Sequence, residues 1–275
     1  MADAAVPEIG EVLPQLAVLV FAVVAFVWAV AGVRRRLADG QELVPLRPHQ
    51  PVIWEGGDVA LTVVAYLLVA TLLAKIVPSQ APLAERLLAN VGLSLSVAGG
   101  TSAWLLFRGA TWNELGFVGG HWRDDIRTAL GGVALVVFPL LMLAAALNAL
   151  VQYRHPIVDF LDGQRDWPAV AIVIVSAVVV APLAEEFFFR RVLQGWLEKY
   201  LGGDDLAPVL LSSLAFAAAH AGQGLAYVPL FPFSLVLGFI AQRTGSIVPC
   251  ILLHALFNAV SVVLLLAQPV VVPAG

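Results

Sequence analysis

Long apolar stretches follow one another along almost the whole chain. A membrane-spanning helix needs about 20 mostly apolar residues, and in hydrocarbon every backbone polar group must be satisfied within the segment. Strands of a membrane barrel would instead alternate apolar and polar residues over about 10 residues. Eight continuous apolar runs are present, at residues 14–33, 58–77, 87–107, 128–150, 169–189, 206–222, 226–241 and 247–268. The pattern predicts an all-α polytopic membrane helix bundle with about eight transmembrane helices.

The composition agrees with this class of protein. Hydrophobic residues make up 60% of the 275 residues and charged residues only 12%, whereas a soluble domain is about 25% charged. So little charge cannot cover a water-facing surface, and the lipid bilayer is therefore the expected partner. The net charge is −4, and without a basic patch we expect no nucleic-acid partner. The single cysteine, Cys250, excludes an intrachain disulfide.

Basic residues indicate the topology. The first run is preceded by acidic residues and followed by Arg34, Arg35 and Arg36, and cytoplasmic loops carry the excess of lysine and arginine. This predicts an N-terminus outside the cell membrane and a cytoplasmic loop at 34–57. Alternating spans then assign eleven of the 15 basic residues to cytoplasmic loops. Arg190 and Arg191 are two of these eleven.

The chain divides into three parts. We expect a first transmembrane helix and a cytoplasmic linker in residues 1–57, further helices without a recognised motif in 58–164, and a motif-bearing core in 165–275. Three histidines lie in predicted loops and are expected to be solvated, namely His49, His121 and His155.

Two adjacent glutamates, Glu185 and Glu186, end the fifth run. A charge at the bilayer centre costs at least about 2.5–3.5 kcal/mol, so a buried charge indicates function. Neighbouring helix positions point about 100° apart, so the two carboxylates must serve different roles. Glu186 is four residues before Arg190, the favourable order for an ion pair on one helix face. Glu185 has no local basic partner and is a candidate general base.

Further polar residues interrupt two later runs. Phe216 and His220 are four residues apart in the sixth run, as are His254 and Asn258 in the eighth, so each pair shares one helix face. Polar groups in lipid seek one another, which predicts one cluster shared by three helices. A carboxylate, two imidazoles and an amide can activate water, hold a metal or stabilise an oxyanion. Taken singly, each group also fits a structural role, such as a polar clamp or a carboxylate that reaches interfacial water.

Depth in the membrane sets a condition on this cluster. If the fifth helix ended with its apolar run, Glu185 would lie near the cytoplasmic end and His220 much deeper. We therefore predict that the fifth helix continues through Leu197, or that the sixth enters the membrane nearer Ser212. A shared site further requires Glu185 and His220 to lie within about 10 Å of each other.

The three polar motifs together resemble a known family. Glu185-Glu186-x-x-x-Arg190, Phe216-x-x-x-His220 and His254-x-x-x-Asn258 are similar, in this order, to the signatures of the CPBP intramembrane proteases. That family includes the CAAX prenyl endopeptidases and the bacteriocin-processing Abi proteins. The resemblance covers about residues 165–268. It implies an eight-helix bundle with a water-filled cavity open toward the cytoplasmic side, and hydrolysis of peptide bonds within or beside the bilayer.

The resemblance also implies roles for individual residues. Four positions would be catalytic, namely Glu185, His220, His254 and Asn258. The glutamate would activate water, the histidines would complete a water or metal site, and the amide would stabilise the oxyanion. Three positions would support the site, namely Glu186, Arg190 and Phe216. The family is usually described as metalloproteases, so zinc bound by Glu185, His220 and His254 is the candidate cofactor. Glu185 acting as base without a metal is the alternative, because a glutamate that binds zinc cannot also be a free base.

The sequence thus predicts an intramembrane endopeptidase that cleaves peptide or membrane-protein substrates. A non-catalytic membrane protein with a binding or immunity role is the first alternative. A transporter is the second, although transporters usually contain internal repeats, and we find none in this sequence.

Overall fold

A computed structural model describes residues 9–49, 51–151, 156–163, 166–201 and 206–267. Within these ranges the chain forms nine helices joined by loops, which confirms the all-α prediction for the described residues. The helices are α1 (Ile9–Ala38), α2 (Gly56–Ile76), α3 (Leu83–Phe107), α4 (Trp122–Leu150), α5 (Pro156–Gly163), α6 (Trp167–Leu201), α7 (Leu206–Ala219), α8 (Tyr227–Thr244) and α9 (Val248–Leu266).

Among the described residues, five helices are long and apolar enough to cross a membrane. They are α2, α4, α6, α9 and the part of α1 from Leu13 to Ala38. The protein is a multi-pass membrane protein, as predicted. Each of the eight apolar runs overlaps a helix, but length and composition qualify five of them rather than eight. Helix α7 has 14 residues, which is about 21 Å at 1.5 Å per residue and shorter than the hydrocarbon core.

Helix α6 carries the two adjacent glutamates. It extends well beyond the apolar run and ends at Leu201, so the predicted continuation of this helix is confirmed and Glu185 lies near its middle. Two π-helical segments, Ile174–Val180 and Phe187–Leu193, lie on either side of Glu185. In a π-helix each N–H donates to the carbonyl five residues earlier, and such segments often occur at functional sites.

Helix α6 packs beside α7, and α7 lies against α8. One core cluster joins α4, α8 and α9, where Phe233, Leu237 and Leu253 are fully buried. Helix α1 lies outside this core against α4, and the rings of Phe26 and Phe138 are 5.6 Å apart there. From Leu13 onward, the large apolar side chains of α1 are mostly exposed, as expected for a face that contacts lipid.

Residues 39–49 and 51–55, which lie in the predicted linker, pack against the bundle. Trp54 is fully buried and its indole Nε1 donates to the carbonyl of Val192 in α6 at 3.0 Å. Arg47 Nη1 contacts the carboxylate of Asp125 in α4 at 2.6 Å. We call residues 39–49 and 51–55 the strap, because they hold α4 and α6 together at one end of the bundle.

His49 keeps solvent contact, as predicted, but it also packs against the protein. Its Nε2 lies 3.9 Å from Oε2 of Glu198, and 28% of its side chain is exposed. A Cβ added at Gly245, in the left-handed turn after α8, would meet the His49 ring at 2.6 Å, so the histidine packs closely on that turn. The expectation for His121 holds, since this residue is exposed. His155 lies outside the described residues.

The placement of Arg190 and Arg191 in a cytoplasmic loop is wrong. Both side chains are buried within α6, because this helix continues past the end of its apolar run. Arg191 Nε donates to the carbonyl of Glu114, and its guanidinium lies over the Trp54 ring, 5.5 Å from the centroid. These two charges are therefore held by partners inside the protein and do not mark a loop.

Candidate active site

Three side chains from separate elements converge on one point. Glu185 comes from the middle of α6, His220 from the turn that follows α7, and His254 from α9. Oε2 of Glu185 lies 3.9 Å from Nε2 of His220 and 4.0 Å from Nε2 of His254. The predicted proximity of Glu185 and His220 is confirmed. One difference from the sequence reading is that His220 follows the end of its helix instead of lying inside it.

The other ring nitrogen of each histidine has a partner that fixes the tautomer. Nδ1 of His254 lies 2.8 Å from Oε1 of Glu186, and Nδ1 of His220 lies 2.8 Å from the carbonyl oxygen of Phe216. A carbonyl or an ionised carboxylate only accepts hydrogen bonds, so both Nδ1 atoms must donate. When these imidazoles are neutral, both Nε2 atoms therefore present lone pairs toward Glu185.

This arrangement brings three hydrogen-bond acceptors together. Separations of 3.9 and 4.0 Å exceed the length of a direct hydrogen bond, which is about 2.7–3.2 Å. Two acceptors at this separation can both bind one water molecule at about 2.8 Å, with an angle of about 90° at the water oxygen. Water has two protons to donate, so the geometry is suited to binding and orienting a water molecule.

The two adjacent glutamates have different partners, as their angular separation predicts. Glu186 and Arg190 are fully buried, and Oε2 of Glu186 accepts from Nε of Arg190 at 3.1 Å. The predicted pairing of these two residues is confirmed. Glu185 keeps 28% of its side chain exposed. One carboxylate is thus locked into the protein, and the other faces the two Nε2 atoms.

Phe216 forms the apolar wall of the site. Its fully buried ring lies 4.7 Å from the ring of His220 and 5.9 Å from that of His254, centroid to centroid. The Arg190 guanidinium lies over the same ring at 5.3 Å, a favourable cation–π arrangement. One aromatic side chain thus packs against both imidazoles and the arginine.

Asn258 is held by a carbonyl that the backbone leaves free. Its Nδ2 donates to the oxygen of Ala177 at 2.7 Å. In the π-helical segment the N–H of Ala181 donates to Ser176, and the next residue, Pro182, has no N–H to offer Ala177. The side chain of Asn258 therefore satisfies this carbonyl and ties α9 to α6. The amide has a second N–H that this bond does not use.

The three donor side chains lie farther apart than the ligands of a zinc ion. Tetrahedral zinc with bonds of about 2.0–2.1 Å places its ligand atoms about 3.4 Å apart. The carboxylate and imidazole atoms of Glu185, His220 and His254 are wider apart, at 3.9 and 4.0 Å. Over the described ranges, no group of three or more His, Cys, Asp or Glu side chains is arranged to hold a metal ion. As arranged, these residues do not fit zinc, and zinc stays a prediction.

Three buried polar residues near the site were not identified from the sequence. Ser212, Ser234 and Gln194 are each fully buried, and they surround Arg190 and its contacts. Their polarity inside an apolar bundle was the available signal. It is weak, because a serine in a helix can satisfy its hydroxyl with its own backbone.

Comparison with known families agrees with the motifs. Residues 166–260 match the family model described as type II CAAX prenyl endopeptidase Rce1-like. The match covers about a third of the chain and contains all three polar motifs, so the predicted resemblance to the CPBP intramembrane proteases is confirmed for this segment. No curated protein and no solved structure gives a significant match.

Proposed function

We propose that this protein is an intramembrane endopeptidase of the CAAX type, with Glu185 as the base that activates water. The observation that carries the proposal is the position of Oε2 of Glu185 within 4.0 Å of Nε2 of both His220 and His254. The family match over 166–260 supports peptide hydrolysis as the reaction class. The multi-pass bundle supports a substrate that reaches the site from the membrane.

In the proposed reaction Glu185 acts first as the base and then as the acid. Glu185 accepts one proton from the bound water. An imidazole Nε2 accepts a hydrogen bond from the second water proton and orients the water oxygen. The water oxygen attacks the carbonyl carbon of the scissile peptide bond. When the tetrahedral intermediate collapses, the carbon–nitrogen bond breaks and Glu185 returns its proton to the leaving amine.

Asn258 is proposed to stabilise the oxyanion. One N–H of its amide is fixed on Ala177, so the group cannot rotate freely and its second N–H has a defined direction. A preorganised donor of this kind is worth roughly 10²–10³-fold in rate. Glu186 supports the site by holding Nδ1 of His254, and Arg190 supports Glu186.

The same proposal includes an orientation and a substrate class. The strap and the basic residues Arg34, Arg35 and Arg36 would lie in the cytoplasm, and the N-terminus outside, so that the site is reached from the cytoplasmic side. Because the matching family is described by CAAX prenyl endopeptidases, prenylated C-terminal peptides are the first substrates to test, followed by other peptides or membrane proteins.

Terminal proteomics on native membranes tests the function without assuming a substrate. Membranes from cells with the wild-type protein are compared with those carrying Glu185→Gln, and with a matched control, Glu85→Gln, which makes the same change at an exposed carboxylate of α3. We expect a set of new peptide termini that requires Glu185 and is unaffected by the control. Identical termini in all three samples, with the variant protein folded, would leave a non-catalytic binding role.

A metal measurement addresses zinc separately. The purified protein is analysed for bound metal and its thermal unfolding is followed with and without a chelator. A stoichiometric metal whose removal lowers the unfolding temperature would show that the three donors close around zinc. Unchanged unfolding and no bound metal would favour the water-only site.

A further inference from the structure

The guanidinium of Arg190 is held by three helices. Its Nε donates to Glu186 in the same helix at 3.1 Å, its Nη2 to Oγ of Ser234 in α8 at 2.7 Å, and its Nη1 to Oγ of Ser212 in α7 at 3.4 Å. All these side chains are buried. Because the fork of an arginine is planar and rigid, these contacts together fix its orientation.

Ser212 is itself oriented by Gln194. The hydroxyl of Ser212 has one proton and two acceptors within reach, Oε1 of Gln194 at 3.1 Å and the carbonyl of Val209 at 3.2 Å. Donation to Gln194 leaves the hydroxyl lone pairs free to accept from Arg190. Gln194 thus supplies a side-chain acceptor for the proton of Ser212, beside the carbonyl of Val209.

The amide of Gln194 is locked in turn. Its Nε2 donates to the carbonyl of Gly238 and to Oε1 of Glu198, both at 2.9 Å. A Cβ added at Gly238 would lie 3.0 Å from Oε1 of Gln194, so the absence of a side chain there allows this close approach. Since both ends of the amide have partners, it has one favourable orientation.

We propose that Ser212, Ser234 and Gln194 are positioning residues for the candidate active site. They act through Arg190 and then Glu186, whose carboxylate keeps the proton of His254 on Nδ1 and leaves Nε2 free to face Glu185. None of the three contacts Glu185, His220 or the reacting atoms. The inference rests on the proposed hydrolytic function, because it assigns these residues to the alignment of that site.

The neighbouring serine provides a matched control. Ser213 is as fully buried as Ser212 and lies on the same helix, but its Oγ has no hydrogen-bond partner among the described residues. Ser212→Ala and Ser213→Ala remove the same atom from the same helix. Only the first, and likewise Ser234→Ala, removes a contact to Arg190.

The test measures kcat and KM together with the ¹⁵N chemical shifts of His254 in the purified full-length protein, which report the nitrogen that bears the proton. We expect Ser212→Ala and Ser234→Ala to lower kcat about tenfold each, in the range for groups that orient site residues, with KM unchanged. The ¹⁵N shifts should indicate a mixture of tautomers. Ser212→Thr keeps the hydroxyl, so its kcat and its His254 ¹⁵N shifts should equal those of the wild-type protein.

The outcomes separate this inference from the proposed function. The positioning role is wrong if Ser212→Ala, Ser234→Ala and the variant with both changes have the same kcat and ¹⁵N shifts as Ser213→Ala. A change confined to KM would also overturn it. If the wild-type protein cleaves nothing, the proposed function fails, and the ¹⁵N shifts alone decide whether these residues orient His254.

Discussion

His254 donates from Nδ1 to Oε1 of the fully buried Glu186 at 2.8 Å, while its Nε2 faces Oε2 of Glu185 at 4.0 Å. The two ring nitrogens thus contact two glutamates that are adjacent in the chain. This is possible because adjacent side chains of α6 point in different directions. The relationship gives each glutamate a distinct role, one as a fixed support and the other as the proposed base.

Glu186→Gln should destabilise the protein strongly. The change leaves the guanidinium of Arg190 buried without its counter-charge, and loss of one partner of a buried pair costs about 3–5 kcal/mol. Unfolding in mixed detergent micelles measures the effect. The control is Asp124→Asn, since its pair with Arg127 is exposed and such pairs contribute at most about 1 kcal/mol. Equal effects of the two variants would contradict the buried pair.

Asn258 and Pro182 should be coupled. Asn258→Leu leaves the carbonyl of Ala177 without a donor, which costs about 1–3 kcal/mol. Pro182→Ala introduces a backbone N–H that can donate to that carbonyl. The double variant should therefore lose less stability than the single changes added together, by at least about 0.5 kcal/mol. Strict additivity in a double-mutant cycle would show that Asn258 does not compensate for the proline.

Two adjacent glycines of α4 should respond in opposite directions. A Cβ at Gly132 would clash with Cδ1 of Leu253, the neighbour of His254, whereas a Cβ at Gly131 meets nothing within 4 Å. Gly132→Ala should destabilise by about 1–3 kcal/mol through overpacking. Gly131→Ala should stabilise by about 0.5–1 kcal/mol, because glycine is unfavourable in a helix. The same unfolding assay compares them, and equal values would contradict the close packing of α4 on α9.

His49 should make the stability depend on pH. The carboxylate of Glu198 raises the pKa of His49 above its ordinary 6.5, helped by the Arg47 carbonyl and opposed by burial and by Arg191. Because the folded-state pKa is raised, the stabilisation from the contact of His49 with Glu198 is fully present below pH 6.5. It is lost as the pH rises through the folded-state pKa.

The measurement is the difference in unfolding temperature between the wild-type protein and His49→Gln. It is taken at about pH 6, where His49 is protonated, and at about pH 9, where it is neutral. The difference should be larger at the lower pH. His121→Gln removes an exposed histidine and serves as the control. A difference for His49→Gln that is the same at both values would contradict the contact with Glu198.

The convergence of three motifs could be predicted from the sequence because hydrocarbon gives polar side chains no other partners. This favoured a shared site for Glu185, His220 and His254, and the order of charges around Glu186 was enough to predict its pairing with Arg190. The alternation of spans placed Arg190 and Arg191 in a loop, because the apolar run ends where these charges begin. Their partners, such as Ser234 and the Glu114 carbonyl, come from distant segments that a local pattern does not include.

Neither the backbone conformation of α6 nor the packing of the strap could be predicted from a sequence pattern. The freed carbonyl of Ala177 results from a π-helical segment and a proline acting together, and its donor, Asn258, is 81 residues away along the chain. Trp54 and His49 lie in a polar, proline-containing segment that is typical of an exposed linker, yet both pack on α6 or the turn after α8. Such contacts depend on how the helix ends assemble in three dimensions.

The initial rate of peptide cleavage by purified Glu185→Gln, relative to the wild-type protein, tests the proposed mechanism most directly. Both proteins are reconstituted in lipid nanodiscs with a prenylated CAAX peptide, or with a substrate identified from native membranes, and Glu85→Gln is measured beside them. We predict a loss of on the order of 10²-fold or more for Glu185→Gln, an unchanged rate for Glu85→Gln, and closely similar unfolding temperatures for all three. A Glu185→Gln protein that cleaves at the wild-type rate would contradict the assignment of Glu185 as the base.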